Sequence, residues 1–334
     1  MEARPVVAPA PVDVLGPAGA RVPFRHRDRE VTCTEALEAL DLRGGWDEVL
    51  RDAERGERAL AAADSDVRSE VEDRLPVTET ALRRRLGVTA ADDYLAWLDQ
   101  HGLTVADCRD HLRRLLASDL LASGSPASGP VGADVDTSTT APDAAAVRAH
   151  VVIDGVLDAA VRRLAEDAAL ADVDPGSCAW LAEVVGRAAA ERARAPELAE
   201  VMTLLSQHAV DWTHVRATVA LVPDADVARE LLLCVHEQRA PLATVASDVG
   251  VRTVSVDTVV GALEPWLEPL LLGAEPGALL GPVARDEGSA VVEVVERRHP
   301  DAADAASVRL ATEELLRRRI AGAMVSHVRW TADA

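Results

Sequence analysis

The side chains able to do chemistry are few, and their spacing is loose. His208 and His214 flank the phrase AVDWT, and two imidazoles could share a metal ion or act as an acid/base pair. A pair at a helix-to-strand junction more often lies on the surface. The phrase VHE at 235–237 lacks the second histidine that a zinc-protease helix needs. A nucleophilic role for Cys234 would require an activated thiolate, but its place beside Val235 on an amphipathic stretch favours core packing. The four cysteines, Cys33, Cys108, Cys178 and Cys234, show no CxxC or Cys/His spacing. They are expected as buried free thiols in a reducing compartment, with no metal and no cofactor. Acidic pairs such as Asp92–Asp93 and Glu313–Glu314 read as solvated faces or helix-dipole partners.

Absence narrows the chemistry further. All 35 Lys+Arg positions are arginine, which removes Schiff-base catalysis, the phosphate-binding P-loop, the kinase Lys–Glu pair and Ser–Lys hydrolysis. The formal net charge of −21 makes nucleic acid and anionic membrane poor partners and a basic peptide a better one. Two tryptophans invite a binding role. Trp97 and Trp266 each sit in a short amphipathic stretch, where packing in the core is the plain reading. Exposed beside an apolar groove, either would anchor a peptide.

These residues need elements to position them. Hydrophobic residues make up 49% of the chain and aromatics only 2%, so the core must be built from Ala, Val and Leu. Residues 1–27 are Pro/Ala/Val-rich, expected as a disordered tail with neither a signal peptide nor a membrane span. Residues 123–146 have the small polar composition of a linker. Between them, 28–122 reads as a helical domain. Thr89 and Thr104 are its candidate caps, Gly102 a helix stop, and Ala91, Leu95, Leu98, Cys108, Leu112, Leu115, Leu116 and Leu120 its stripes. Pro76 is expected to break a helix. Residues 147–210 are helical again. After Trp212 the period changes, giving strand, long helix, short helix, strand, short helix and hairpin over 211–299. A last helix, 304–325, carries Val308, Leu315, Leu316, Ile320, Ala323 and Met324 on one stripe.

This order and three phrases carry a resemblance. GAEPGALLGPVARDEGSAVVEVVERR and VARELLLCVHEQRAPLATVASDVG are similar to the closing hairpin and helix pair of parvulin-type prolyl isomerases. HGLTVADCRDHLRRLL resembles the helical domain of SurA-type chaperones. With VTCTEALEAL, GGWDEVLRDA and the HVRW ending, the chain resembles parvulin-like peptide maturation system proteins. Those occur beside genes for ribosomally made, post-translationally modified peptides. The resemblance implies an α+β, mainly α fold: a SurA-like helical N-terminal domain, a degenerate parvulin-like small antiparallel sheet domain, and a C-terminal helix over 300–330 returning to the helical domain. By position, the polar groups of a parvulin site fall at Val219, Val249 and Ala290, and nothing from Gly250 to Leu263 matches the parvulin glycine segment. The implied role is a cytoplasmic, non-catalytic or weakly catalytic chaperone or accessory protein. Its partners would be a precursor peptide and peptide-modifying enzymes, with Leu221, Trp266 and Leu270 as peptide contacts. A divergent prolyl isomerase and a scaffold joining modifying enzymes are the alternatives.

Overall fold

The computed structural model describes residues 8–123, 142–285 and 287–331. The chain forms two compact units, one drawn from Met1–Arg194 and Arg319–Ala334, the other from Ala195–Arg318. Together they make an α+β, mainly α protein with two small antiparallel sheets.

The first unit begins earlier than composition suggests. Helix α1 (Pro11–Val14) leads to the strands β1 (Phe24–His26) and β2 (Arg29–Val31). Val14, Leu15 and Phe24 are fully buried. The expected disordered tail is therefore ordered from residue 8: its few large apolar side chains fill the helical core and outweigh the prolines. Then follow α2 (Cys33–Leu42), α3 (Trp46–Ala62), α4 (Ser65–Arg85), α5 (Ala91–Gln100), α6 (Val105–Ala122), α7 (Ala144–Ile153), α8 (Val156–Ala171) and α9 (Trp180–Ala193). Local capping sets several starts. Thr32 and Glu35 form a reciprocal capping box on α2, and Thr104 and Asp107 repeat it on α6.

Three expectations change here. Pro76 does not end a helix: α4 runs through it. Pro76 is exposed, so the carbonyl it leaves without a donor can be hydrated, while buried Val67, Val71, Leu75 and Leu82 hold both sides of it on the core. In α5 the N-cap is Ala90 rather than Thr89, and Tyr94 and Leu98 are buried while Leu95 is 51% exposed. The expected linker 123–146 falls on residues 124–141, outside the described residues, but α7 already begins at Ala144, capped by Asp143. Helices α7–α9 share one core with α2–α6 and do not form a separate segment.

The second unit starts with α10 (Leu198–Gln207). Strand β3 (His214–Val222), α11 (Ala225–Gln238), α12 (Leu242–Asp248), β4 (Thr253–Val259), α13 (Glu268–Leu271), β5 (Leu279–Arg285) and β6 (Gly288–Arg298) follow. The sheet order is β4-β3-β6-β5, all antiparallel. Alternation puts Val215, Ala217, Val219, Ala290, Val292 and Val294 on one face, with Leu267 and Leu271 against them. Ala220, Val222 and Val291 on the other face meet α11 and α12. This is the parvulin-like element order.

The last helix, α14 (Ala305–His327), is less buried than its stripe predicts. Among its described residues, Ser307 and Ala311 are the buried ones. Ala311 packs with Val201, Leu204 and Leu205 of α10, with half-buried Val308 and Leu315 beside it, whereas Met324 packs on the helical unit's core. The tie to that unit is instead a strand, β7 (Val328–Trp330), which joins the edge of β1. The Arg27 N–H donates to the His327 carbonyl at 2.8 Å, the Thr331 N–H to the Pro23 carbonyl at 3.1 Å, and the Phe24 and Trp330 rings meet at 5.7 Å.

At this seam lies a charge-sensitive group. His26 on β1, opposite Val328, is fully buried between Trp180 and His327, and neither ring nitrogen has a hydrogen-bond partner among the described residues. Burial, reinforced by Arg27 and His327 and only partly opposed by Asp172, lowers its pKa to about 4. The unfolded chain takes up this proton near 6.5 and the folded chain only near 4, so stability is full above pH 6.5 and falls as pH drops from 6.5 toward 4. The loss is at most about 3 kcal/mol, at roughly 1.36 kcal/mol per pH unit. Urea unfolding of the full chain at pH 7 and pH 5 should show this slope, and His26→Phe should flatten it. An unchanged slope in His26→Phe would place the acid sensitivity elsewhere.

Candidate peptide-binding face

The face that could meet a ligand is set by α13 and the loop before it. Pro265 and Pro269 bracket a short turn of apolar residues, too short to bury more than one side. Leu267 and Leu271 turn inward, at 4% and 0% exposure, onto Val219 and Ala290. Around that core stays a half-buried apolar rim: Leu221, Leu263, Trp266, Leu280 and Val283. Trp266 is held on two sides. Its Nε1 donates to Glu264 Oε2 at 2.5 Å, and the Arg285 guanidinium lies 4.6 Å from its ring centroid.

The sequence-derived contacts divide. Leu221 and Trp266 pack on the same cluster, whereas Leu270 is half-buried and takes no part in it. A four-residue helix presents only one face to the sheet, and Leu267 and Leu271, four apart, occupy it.

The three positions that correspond to parvulin polar groups do not converge on chemistry. Val219 and Ala290 share the apolar core of one face, where register pairs Val219 with Val292 and Leu221 with Ala290. Val249 stands at the end of α12, 56% exposed. The pairings put Thr258 of β4 beside Val215 on that face, and Arg285, engaged with Trp266, at the end of β5. An apolar wall can exclude water and accept side chains, and the acid and base recorded beside it, Glu264 and Arg285, both engage the Trp266 ring.

The other singled-out residues have separate partners. His208 stacks on Trp212 at 4.5 Å, and its Nε2 faces Arg318 Nη2 at 3.0 Å. His214 Nε2 lies 2.7 Å from Asp257. Trp97 is half-buried on the helical core and stacks at 4.4 Å with His101, whose other ring atom, Nε2, faces Arg21 at 2.8 Å. Of the cysteines, Cys33 and Cys108 are buried, with burial pushing both thiols up, but Cys178 is exposed and Cys234 half-buried. The expectation of four buried thiols holds only for the first two.

Sequence reading missed one group. Among the described residues, His111, His150 and Asp154 of the helical unit bring their ligand atoms within 4.8 Å of one another. The one visible hint was the four-residue spacing of His150 and Asp154. No described helix is long and apolar enough to cross a membrane.

The packing predicts how the face responds to truncation. Leu271→Ala should cost about 2–5 kcal/mol, the range for emptying a filled core site. Leu270→Ala, which leaves that core intact, should cost less than about 1 kcal/mol. Denaturant midpoints of the two variants check this, and equal losses would contradict the assignment of inward and outward sides.

No protein-family model matches the chain, and no curated protein matches it. Among solved structures, it is similar to the peptidylprolyl isomerase PrsA from Bacillus cereus, at 12% identity and a TM-score of 0.27, over 91% of this chain and 86% of that one. PrsA from Bacillus subtilis gives 12% identity and a TM-score of 0.26, over 92% and 91%. A structure from work on two SurA-like chaperones of Campylobacter jejuni gives 8% and 0.20, over 93% and 99%. Likeness at this level says nothing of activity.

Proposed function

We propose that the protein is a chaperone-like accessory that holds a basic precursor peptide against the apolar rim of its sheet unit, in the cytoplasm, for peptide-modifying enzymes to act on. The observation that carries this reading is the rim itself: Leu221, Trp266 and Val283 stay half-exposed although they pack on the sheet core. Half-exposed apolar side chains around a filled core offer area to an extended chain without needing catalytic groups. Trp266 is the natural anchor, because its ring is already fixed by Glu264 and Arg285 and loses little freedom on binding. The formal charge of −21 favours a cationic client. The nature of the client, a precursor of a modified peptide, rests on the resemblance to peptide maturation system proteins.

The test is a binding titration with a labelled Arg-rich peptide, the client chemistry that the charge favours, followed by fluorescence anisotropy. Trp266→Ala should weaken binding by more than about 1 kcal/mol, roughly fivefold, with circular dichroism unchanged. Raising salt should weaken binding further, since screening at 0.1 M acts beyond about 10 Å. Unchanged affinity in a folded Trp266→Ala variant would remove the rim from the site. No measurable affinity of the wild type would remove peptide holding altogether.

A further inference from the structure

The polar cluster in the helical unit has the donors of a metal centre. His111 lies in the middle of α6 with its side chain 4% exposed. His150 belongs to the last turn of α7, and Asp154 caps that helix one turn later. The His111 Nε2 faces Asp154 Oδ1 at 3.0 Å, and the His150 Nδ1 faces Asp154 Oδ2 at 2.7 Å. The two imidazole rings stand 6.0 Å apart. Asp154 thus stands at the meeting point of two imidazoles, with one carboxylate oxygen toward each.

We propose that His111 Nε2, His150 Nδ1 and an Asp154 oxygen bind a divalent transition-metal ion of the zinc class, with the remaining coordination position open to solvent. Two imidazole nitrogens and one carboxylate oxygen are a common donor set for zinc, and three protein ligands leave a fourth position for water. Metal–ligand bonds of about 2.0–2.1 Å set ligand atoms roughly 3.3 Å apart in a tetrahedron. The two contacts to Asp154 need to open by only a few tenths of an ångström, and the widest separation, at most 4.8 Å, must close by no more than about 1.5 Å. Each imidazole gives the ion a lone pair by carrying its proton on the other ring nitrogen, so neither needs to be charged.

The surroundings suit a cation. The cluster borders a cavity of about 260 Å³, also lined by Asp52, Arg114 and Ser118, which supplies a path for the ion and for water. The two neighbouring arginines are already neutralised: Arg114 Nε is 3.1 Å from Glu57, and Arg55 is 3.1 Å from Asp52. The formal charge left at the centre is that of Asp154. An ion here would also clamp α6 to the end of α7, elements joined through residues 124–141, outside the described residues.

The experiment uses the full-length protein, freed of metal by a chelator and titrated with cobalt(II) and then zinc(II). The expected result is one equivalent of cobalt giving the intense visible bands of a four-coordinate ion, displaced by zinc, and a zinc-dependent rise in Tm. His150→Gln and Asp154→Asn, each confirmed folded by circular dichroism, should weaken zinc binding at least tenfold and lose the Tm rise. His150 and Asp154 are partly exposed, so these variants avoid the packing loss expected of changes at His111. The protein carries 56 acidic residues, and weak surface binding is the rival account. Binding that is unchanged in both variants, or cobalt spectra of only the pale six-coordinate form, would overturn the proposal. So would the absence of zinc binding at 100-fold excess over about 1 μM protein.

Discussion

The pairing of β3 with β6 is the contact on which the sheet unit depends. Both are central strands, covered on both faces, and their buried inward positions are Val and Ala. Such strands satisfy their backbone by pairing and their side chains by burial on two sides. Every inward position they offer is thereby committed to packing. Val219 and Ala290, the positions that the sequence resemblance assigned to polar groups, are 3% and 0% exposed, which leaves no room for a polar side chain without a cost in desolvation.

The residues around that core keep part of their apolar area exposed. A chain with 2% aromatics fills its interior with small aliphatic groups, so a single large side chain at a surface step stands out. Trp266 is one such side chain in the sheet unit, pinned between an acid and an arginine. In the helical unit three large aromatics gather at the seam where β1 receives β7: Phe24 meets Trp330, and Trp180 lies beside His26. A short strand of three residues can hold there because each residue pairs with β1, and bonds at both flanks, Arg27 N–H to the His327 carbonyl and Thr331 N–H to the Pro23 carbonyl, fix its ends.

Features governed by local chemistry were legible in the sequence. The cap Thr104 and the stop at Gly102 both act within a few residues, and the structure has each of them. The alternation of β3 and β6 was equally readable, since its period is two. Features that depend on distant partners were not. β7 is three residues at the end of a helical pattern, and only β1 makes it a strand. His111 and Asp154 meet across 43 positions, so no spacing rule joins them. Pro76 misled because a break signal is local while the packing of Val71, Leu75 and Leu82 that overrides it is not. Leu270 misled because helical period cannot choose a side within four residues.

We propose that the sheet unit binds a peptide without turning over its prolyl bonds. Two-dimensional exchange NMR on an Arg-rich peptide with one Xaa-Pro bond, mixed with the full-length protein, tests both halves together. Peptide resonances should shift and broaden on titration, while cis–trans exchange stays at the uncatalysed scale of tens of seconds or slower. Cross-peaks between cis and trans forms growing within a fraction of a second, in proportion to added protein, would contradict the claim.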